Sequence, residues 1–266
     1  MSDPHDVRHY PGARLVTALF FVWLYAPIAV VIWFSFNENR LVSVWTGFST
    51  KWYVAALSND ALMNALKVSL VVALSATTVA TLVALSAAMV LSRHSDIRFG
   101  KLSETVVNLP LLLPEIVVAV ATLILFSQIG FTNGMARLIV AHSAFCTPFA
   151  FLPIRARLQG MSRDYEEAAL DLYARPLTAF RRVTLPLILP GVFAGAMLAF
   201  VMSMDDFITS NMLNTGGSTT LPVYIFSLIK KGTTPELNAI STLLILASLI
   251  IATFALALSA RVMRRD

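Results

Sequence analysis

RDYEEAALDLYARPLTAFRRVTLPLILP, residues 163–190, is the longest charged stretch of an otherwise apolar chain. Its acids come first (Asp164, Glu166, Glu167, Asp171), then Arg175, Arg181 and Arg182, then Leu185-Pro186. The runs on either side are long enough to cross a bilayer. A membrane-bound chain that keeps such a stretch in water uses it to touch something soluble. A surface helix with Ala168, Ala169 and Leu172 against the membrane is the plainer alternative, but it leaves the Leu-Pro step unexplained.

Composition sets the class. Of 266 residues, 57% are hydrophobic and only 13% charged, with mean hydropathy +0.75. Soluble domains carry nearer ~25% charged residues. The single cysteine, Cys146, excludes an internal disulfide and a cysteine-based metal cluster. The net charge of +5 is assigned to basic loops on one side of a membrane, and nucleic acid is not expected as a partner. No G-x-x-x-x-G-K-[ST] occurs, so the chain cannot bind ATP through a P-loop.

Six spans are predicted, at 15–36, 62–92, 105–128, 135–154, 185–206 and 237–260. They make one domain over 15–260, between a tail at 1–14 and another at 261–266. The first apolar run is too long for a signal peptide and has no cleavage site after it. Residues 37–60 read as a polar loop whose WTGFSTKWY (Trp45 to Tyr53) suits a membrane–water boundary. Residues 221–229 are apolar but too short to cross, and read as a half-buried interfacial helix. Six spans put both termini on one side. That side holds Arg8, Arg14, the 93–104 and 155–184 loops, Arg261, Arg264 and Arg265. The other keeps only Arg40, Lys51, Lys67, Arg137, Lys230 and Lys231, so the richer side is the cytoplasm. The expected fold is an all-α integral membrane protein.

Three acids lie in or beside the spans: Glu115 well inside the third, and Asp205 and Asp206 at the end of the fifth. An ionised acid at the bilayer centre costs roughly 2.5–3.5 kcal/mol on insertion scales, so it faces water or a partner charge. They are read as a cation path, with the aspartates at the outer mouth and Glu115 deeper. The alternatives are an interhelical hydrogen bond for Glu115 and helix-end solvation for the aspartates. Capping does not account for acids at a helix C-terminus, where they oppose the macrodipole. His142 and Cys146 share a helix face, but no third ligand or base stands at fitting spacing, so packing or interhelical hydrogen bonding is expected. His5, His9 and His94 form no cluster, and no metal site is predicted.

The spacing of the opening stretch is specific. Glu167-Ala168-Ala169, Tyr173, Val183 and Leu185-Pro186 resemble the EAA loop (EAA-x3-G-x9-I-x-L-P) of bacterial ABC importer permeases. Tyr173 stands where that family has Gly, so either the turn takes another shape or the position does not need φ > 0. WTGFSTKWY, LPEIV around Glu115, HSAFCTPF (142–149), SMDDFITS (203–210) and PELNAISTLLI (235–245) resemble the smaller permease subunit of spermidine/putrescine transporters. The resemblance implies a type I ABC importer permease with six transmembrane helices and cytoplasmic coupling helices in the bacterial inner membrane. It implies that Glu166, Glu167, Ala168, Ala169, Asp171, Tyr173, Leu185 and Pro186 couple to an ATPase. The implied partners are a second homologous permease, two cytoplasmic ATP-binding subunits, a periplasmic substrate-binding protein and membrane lipid. ATP and Mg sit on the ATPase subunits, and this chain carries no cofactor. The implied cargo is a polyamine, which needs anionic stations and aromatic faces along its route. Trp33, Phe207 and Tyr224 are the candidate aromatics. The rivals are the same fold with another small cationic or metal-complexed cargo, an ion-gradient secondary transporter, and an intramembrane hydrolase using Glu115, His142 or Cys146.

Overall fold

The structure, a computed structural model, describes residues 12–40, 44–93, 100–232 and 235–263. Most of the predicted N-terminal tail, the 94–99 part of the basic loop, and Arg264 and Arg265 lie outside the described residues. In chain order the helices are α1 (Ala13–Ser35), α2 (Lys51–Leu57), α3 (Asp60–Arg93), α4 (Gly100–Leu112), α5 (Glu115–Gln128), α6 (Gly134–Gln159), α7 (Asp164–Asp171), α8 (Pro176–Ala179), α9 (Leu185–Asp205), α10 (Ile208–Leu213), α11 (Leu221–Lys231) and α12 (Pro235–Met263). A π-helical turn at Phe180–Thr184 leads into α9. The segments Ala13–Ser35, Asp60–Ser92, Gly134–Gln159 and Pro176–Asp205 are each long and apolar enough to cross a membrane. α4 and α5 together make a fifth, broken one.

The chain forms two compact units. The first joins residues up to 60 with those from 228 onward. Its α1 is apolar all round, and Leu15, Phe20, Trp23 and Val30 stay exposed, as in a helix that faces lipid. Past α1 the chain is pinned by Asn37, which is fully buried. Its Nδ2 donates to Val44 O at 2.8 Å, its Oδ1 accepts from Thr46 N at 3.2 Å, and its carbonyl accepts from Trp52 Nε1 at 2.8 Å. Ser35 Oγ and Tyr53 OH lie 2.5 Å apart. These bonds turn part of the expected polar loop into α2, which packs on α12.

The second unit, residues 61–227, contains the close packing. Ala73, Ala76, Ala80, Ala84 and Ala88 form a fully buried stripe along α3. α6 and α9 approach at Gly191 and Gly195; a Cβ at Gly195 would lie 2.5 Å from Ala150 O. Small residues at such contacts let helix backbones touch, the main source of helix association where lipid removes the hydrophobic drive. Around them Cys146, Ala150, Phe151, Ile154 and Ile188 fill the core.

Two boundaries differ from expectation. The predicted third span is not one helix: α4 starts at Gly100, and the two helices bend by 106° at Leu113-Pro114. Pro114 lacks an N–H and disfavours helix at the residue before it. The fourth span continues past 154 to Gln159, so Arg155 and Arg157 ride on α6.

Candidate functional site

Glu115 is the first residue of α5, just after the proline break. Asp206 directly follows α9. Their carboxyl groups lie close enough to interact directly. They therefore form one pair, not an outer and a deeper station. Asp205 beside them is exposed. Two carboxylates in contact repel, so the pair is complete only with a proton or another cation between them.

Asp206 is only 5% exposed. Its Oδ1 accepts from Thr209 N at 3.2 Å and its Oδ2 from Ser210 N at 2.8 Å. It thus caps the start of α10, which corrects the expectation that capping has no part here. The helix it serves is the next one, whose N-terminal end favours an anion.

His142, on α6 and 1% exposed, holds the same carboxylate. Its Nε2 lies 3.2 Å from Asp206 Oδ2 and 3.2 Å from Ser210 Oγ, and its Nδ1 lies 2.8 Å from Ser203 Oγ. Interhelical hydrogen bonding, expected for His142, is what it does; that its partner is Asp206 was not legible in the sequence. Cys146 is buried in the core among Ala80, Ala84 and Phe151. Of the candidate aromatics, Phe207 packs on Phe226 with ring centres 4.6 Å apart, and Trp33 stacks on Trp45 in the other unit at 5.1 Å. Among the described residues, no three His, Cys, Asp or Glu side chains converge to hold a metal.

The 163–186 loop is built differently. α7 opens on Asp164, Glu166 and Glu167, acids suited to a helix N-terminus. Glu166 Oε1 accepts from Thr184 Oγ1 at 2.5 Å, tying α7 back to the entrance of α9. Glu167, Ala168 and Asp171 point to solvent and Ala169 is half-buried. Leu185 starts α9, with Pro186 in its first turn, where a missing N–H is harmless.

Tyr173 ends α7 with φ 59°, the only positive φ outside glycine among the described residues. Its N–H donates to Leu170 O at 2.9 Å and that of Ala174 to Ala169 O at 3.1 Å. This pair of bonds is the Schellman stop usually closed by Gly. The turn keeps the glycine conformation, with a side chain that is 96% exposed.

Comparison with known proteins agrees with this architecture. Residues 76–265 match the family model of the binding-protein-dependent transport system inner membrane component. The chain is 37% identical over 241 residues to the putrescine transport system permease protein PotI of Escherichia coli (strain K12), covering 88% of this chain and 86% of that one. It is 39% identical over 231 residues to the spermidine/putrescine transport system permease protein PotC of Haemophilus influenzae, covering 86% of this chain and 89% of that one. A solved bacterial alginate ABC transporter, in complex with an alginate pentasaccharide-bound periplasmic protein, has a chain of the same fold. Its TM-score is 0.72 at 18% identity, over 94% of this chain and 93% of that one. With its apolar helices, the chain is a multi-pass membrane protein, and it belongs to the family of binding-protein-dependent transport system inner membrane components.

Proposed function

We propose that this chain is one permease subunit of an ATP-driven ABC importer that moves polyamines, putrescine or spermidine, into the cytoplasm by alternating access. The observation that carries the cargo is the Glu115–Asp206 pair, two carboxyls from separate helices meeting in a membrane-spanning chain. A substrate ammonium takes the place between them that a proton otherwise fills, and Asp205 adds negative charge beside it. The relatives named for putrescine and spermidine transport support the same cargo.

In this reading residues 15–260 form one permease domain of six spans, with α4–α5 as the broken third and α12 as the sixth. Both termini face the cytoplasm of a bacterium, and the membrane is its inner one. α7 and α8 are the coupling helices. Glu166, Glu167, Ala168, Ala169, Asp171, Tyr173, Leu185 and Pro186 form the loop that meets the ATPase. The assembly holds this chain, a second homologous permease, two ATP-binding subunits and a periplasmic substrate-binding protein. ATP and Mg bind the ATPase subunits alone. ATP closes the ATPase dimer, the coupling helices carry the motion into the spans, and the path opens outward to accept substrate. Hydrolysis reverses the motion.

The test is uptake of labelled putrescine and spermidine into vesicles carrying the full complex and ATP. Glu115→Gln and Asp206→Asn each lower uptake by roughly tenfold or more, the weight of one hydrogen bond to a charged group. Unchanged uptake in both variants refutes the acid pair as part of the path. ATPase activity stimulated by another solute, with no polyamine uptake, refutes the cargo.

A further inference from the structure

We propose a binding site for the phosphodiester headgroup of an anionic phospholipid at the ends of α3 and α6. A cavity of about 350 Å³ lies there, lined by Leu91, Ser92, Arg155, Leu158, Gln159, Met161 and Arg163. It lies wholly within the second unit. Among the described residues, two guanidiniums line it and no acid does.

Each guanidinium has five N–H donors. Arg155 gives one to Glu104 and lies over the Phe151 ring, 5.8 Å from its centre. Arg163 gives Nη2 to Ser92 O at 2.7 Å. The remaining donors have no protein acceptor among the described residues. The Ser92 hydroxyl oxygen is buried and has no hydrogen-bond partner there either. Two guanidiniums and the Glu104 carboxylate leave one positive charge, which a phosphodiester neutralises. Bidentate contact to phosphate oxygens is the geometry a guanidinium fits best.

The walls indicate a lipid as the source of that group. α3 and α6 are both long and apolar enough to cross a membrane, and the cavity sits at their ends, where a spanning helix meets the headgroups. Val90 and Leu152, on the same two helices, are exposed and give acyl chains a surface. Basic pockets between spans on the cytoplasmic side are a recurrent form of headgroup recognition. Only the name of the leaflet rests on the orientation proposed above; the site does not depend on the cargo.

The test uses the assembled transporter in nanodiscs of phosphatidylethanolamine and phosphatidylglycerol, with bound lipid read by native mass spectrometry. Wild type retains phosphatidylglycerol over phosphatidylethanolamine. Arg163→Gln lowers that retention about tenfold, one charge-assisted contact. Gln159→Trp, which fills the mouth and keeps both guanidiniums, lowers it similarly and decides the matter if Arg163→Gln fails to assemble. Equal retention by wild type and Gln159→Trp overturns the site. Retention of both lipids alike overturns the anionic headgroup. Displacement by millimolar inorganic phosphate overturns the lipid and gives the cavity to a soluble anion.

Discussion

The polar cluster around Asp206 and the loop around Tyr173 treat their side chains in opposite ways. Asp206 is buried, and both its oxygens are bonded within the protein, to Thr209 N, Ser210 N and His142, with the Glu115 carboxyl beside them. In the loop, Leu172 is 81% exposed and Tyr173 96%, and Leu177 and Glu167 also face solvent. A buried polar group must be satisfied where it stands, since leaving it bare costs ~1–3 kcal/mol. An exposed apolar cluster has no such constraint and gains by being covered. In the function proposed above, the cluster exchanges one partner for another, whereas the loop gains a partner on assembly.

The sharpest way to break this contrast is Glu167→Arg. If the loop docks through its exposed acids, reversing one places like charges across the interface at a cost of several kcal/mol. ATP-driven uptake should fall by roughly a hundredfold or more. Membrane insertion should be unaffected, because Glu167 is exposed and its side chain makes no hydrogen bond or ion pair among the described residues. Normal uptake, with the protein in the membrane fraction, removes this surface from the coupling path.

A smaller effect is expected at His142. His142→Phe keeps an aromatic ring but strips partners from Asp206, Ser203 and Ser210. Thermal unfolding in detergent should show a loss of ~1–3 kcal/mol. His142→Gln, which can still donate to Asp206, should recover part of it. Equal stability in the phenylalanine variant would show that the cluster is not held through His142.

Much of this architecture was legible because apolar length is a local property. The runs that became α1, α3 and α9 are visible without any knowledge of packing. The break at Pro114 was not, although the proline was in plain view. Pro27, Pro110, Pro148 and Pro153 all sit inside continuous helices, so proline alone does not decide where a span breaks. Neighbouring helices decide it by satisfying or not satisfying the freed carbonyls. The pairing of His142 with Ser203 was hidden for a related reason: they are 61 residues apart, and no spacing rule reaches that far. α2 was missed because its anchor, Trp52 Nε1 on Asn37 O, is likewise a contact between separate segments.

Tyr173 gives the smallest expected effect and the finest test of the contrast. The loop spacing located a turn there, and the structure keeps the left-handed conformation that glycine would adopt freely. For a residue with a Cβ this conformation costs about 1 kcal/mol. Among the described residues little offsets that cost, since the ring is almost wholly exposed. Tyr173→Gly should therefore stabilise the end of α7 by up to ~1 kcal/mol, less the extra chain entropy that glycine loses on folding. Slower hydrogen exchange at the Tyr173 and Ala174 amides, which close the turn, would report it. The same variant should bind its ATP-binding subunits less well if the ring is covered on assembly. Slower exchange with unchanged binding would leave the strain real and the ring idle. Slower exchange with weaker binding would show that the loop holds its strain in exchange for contact with a partner.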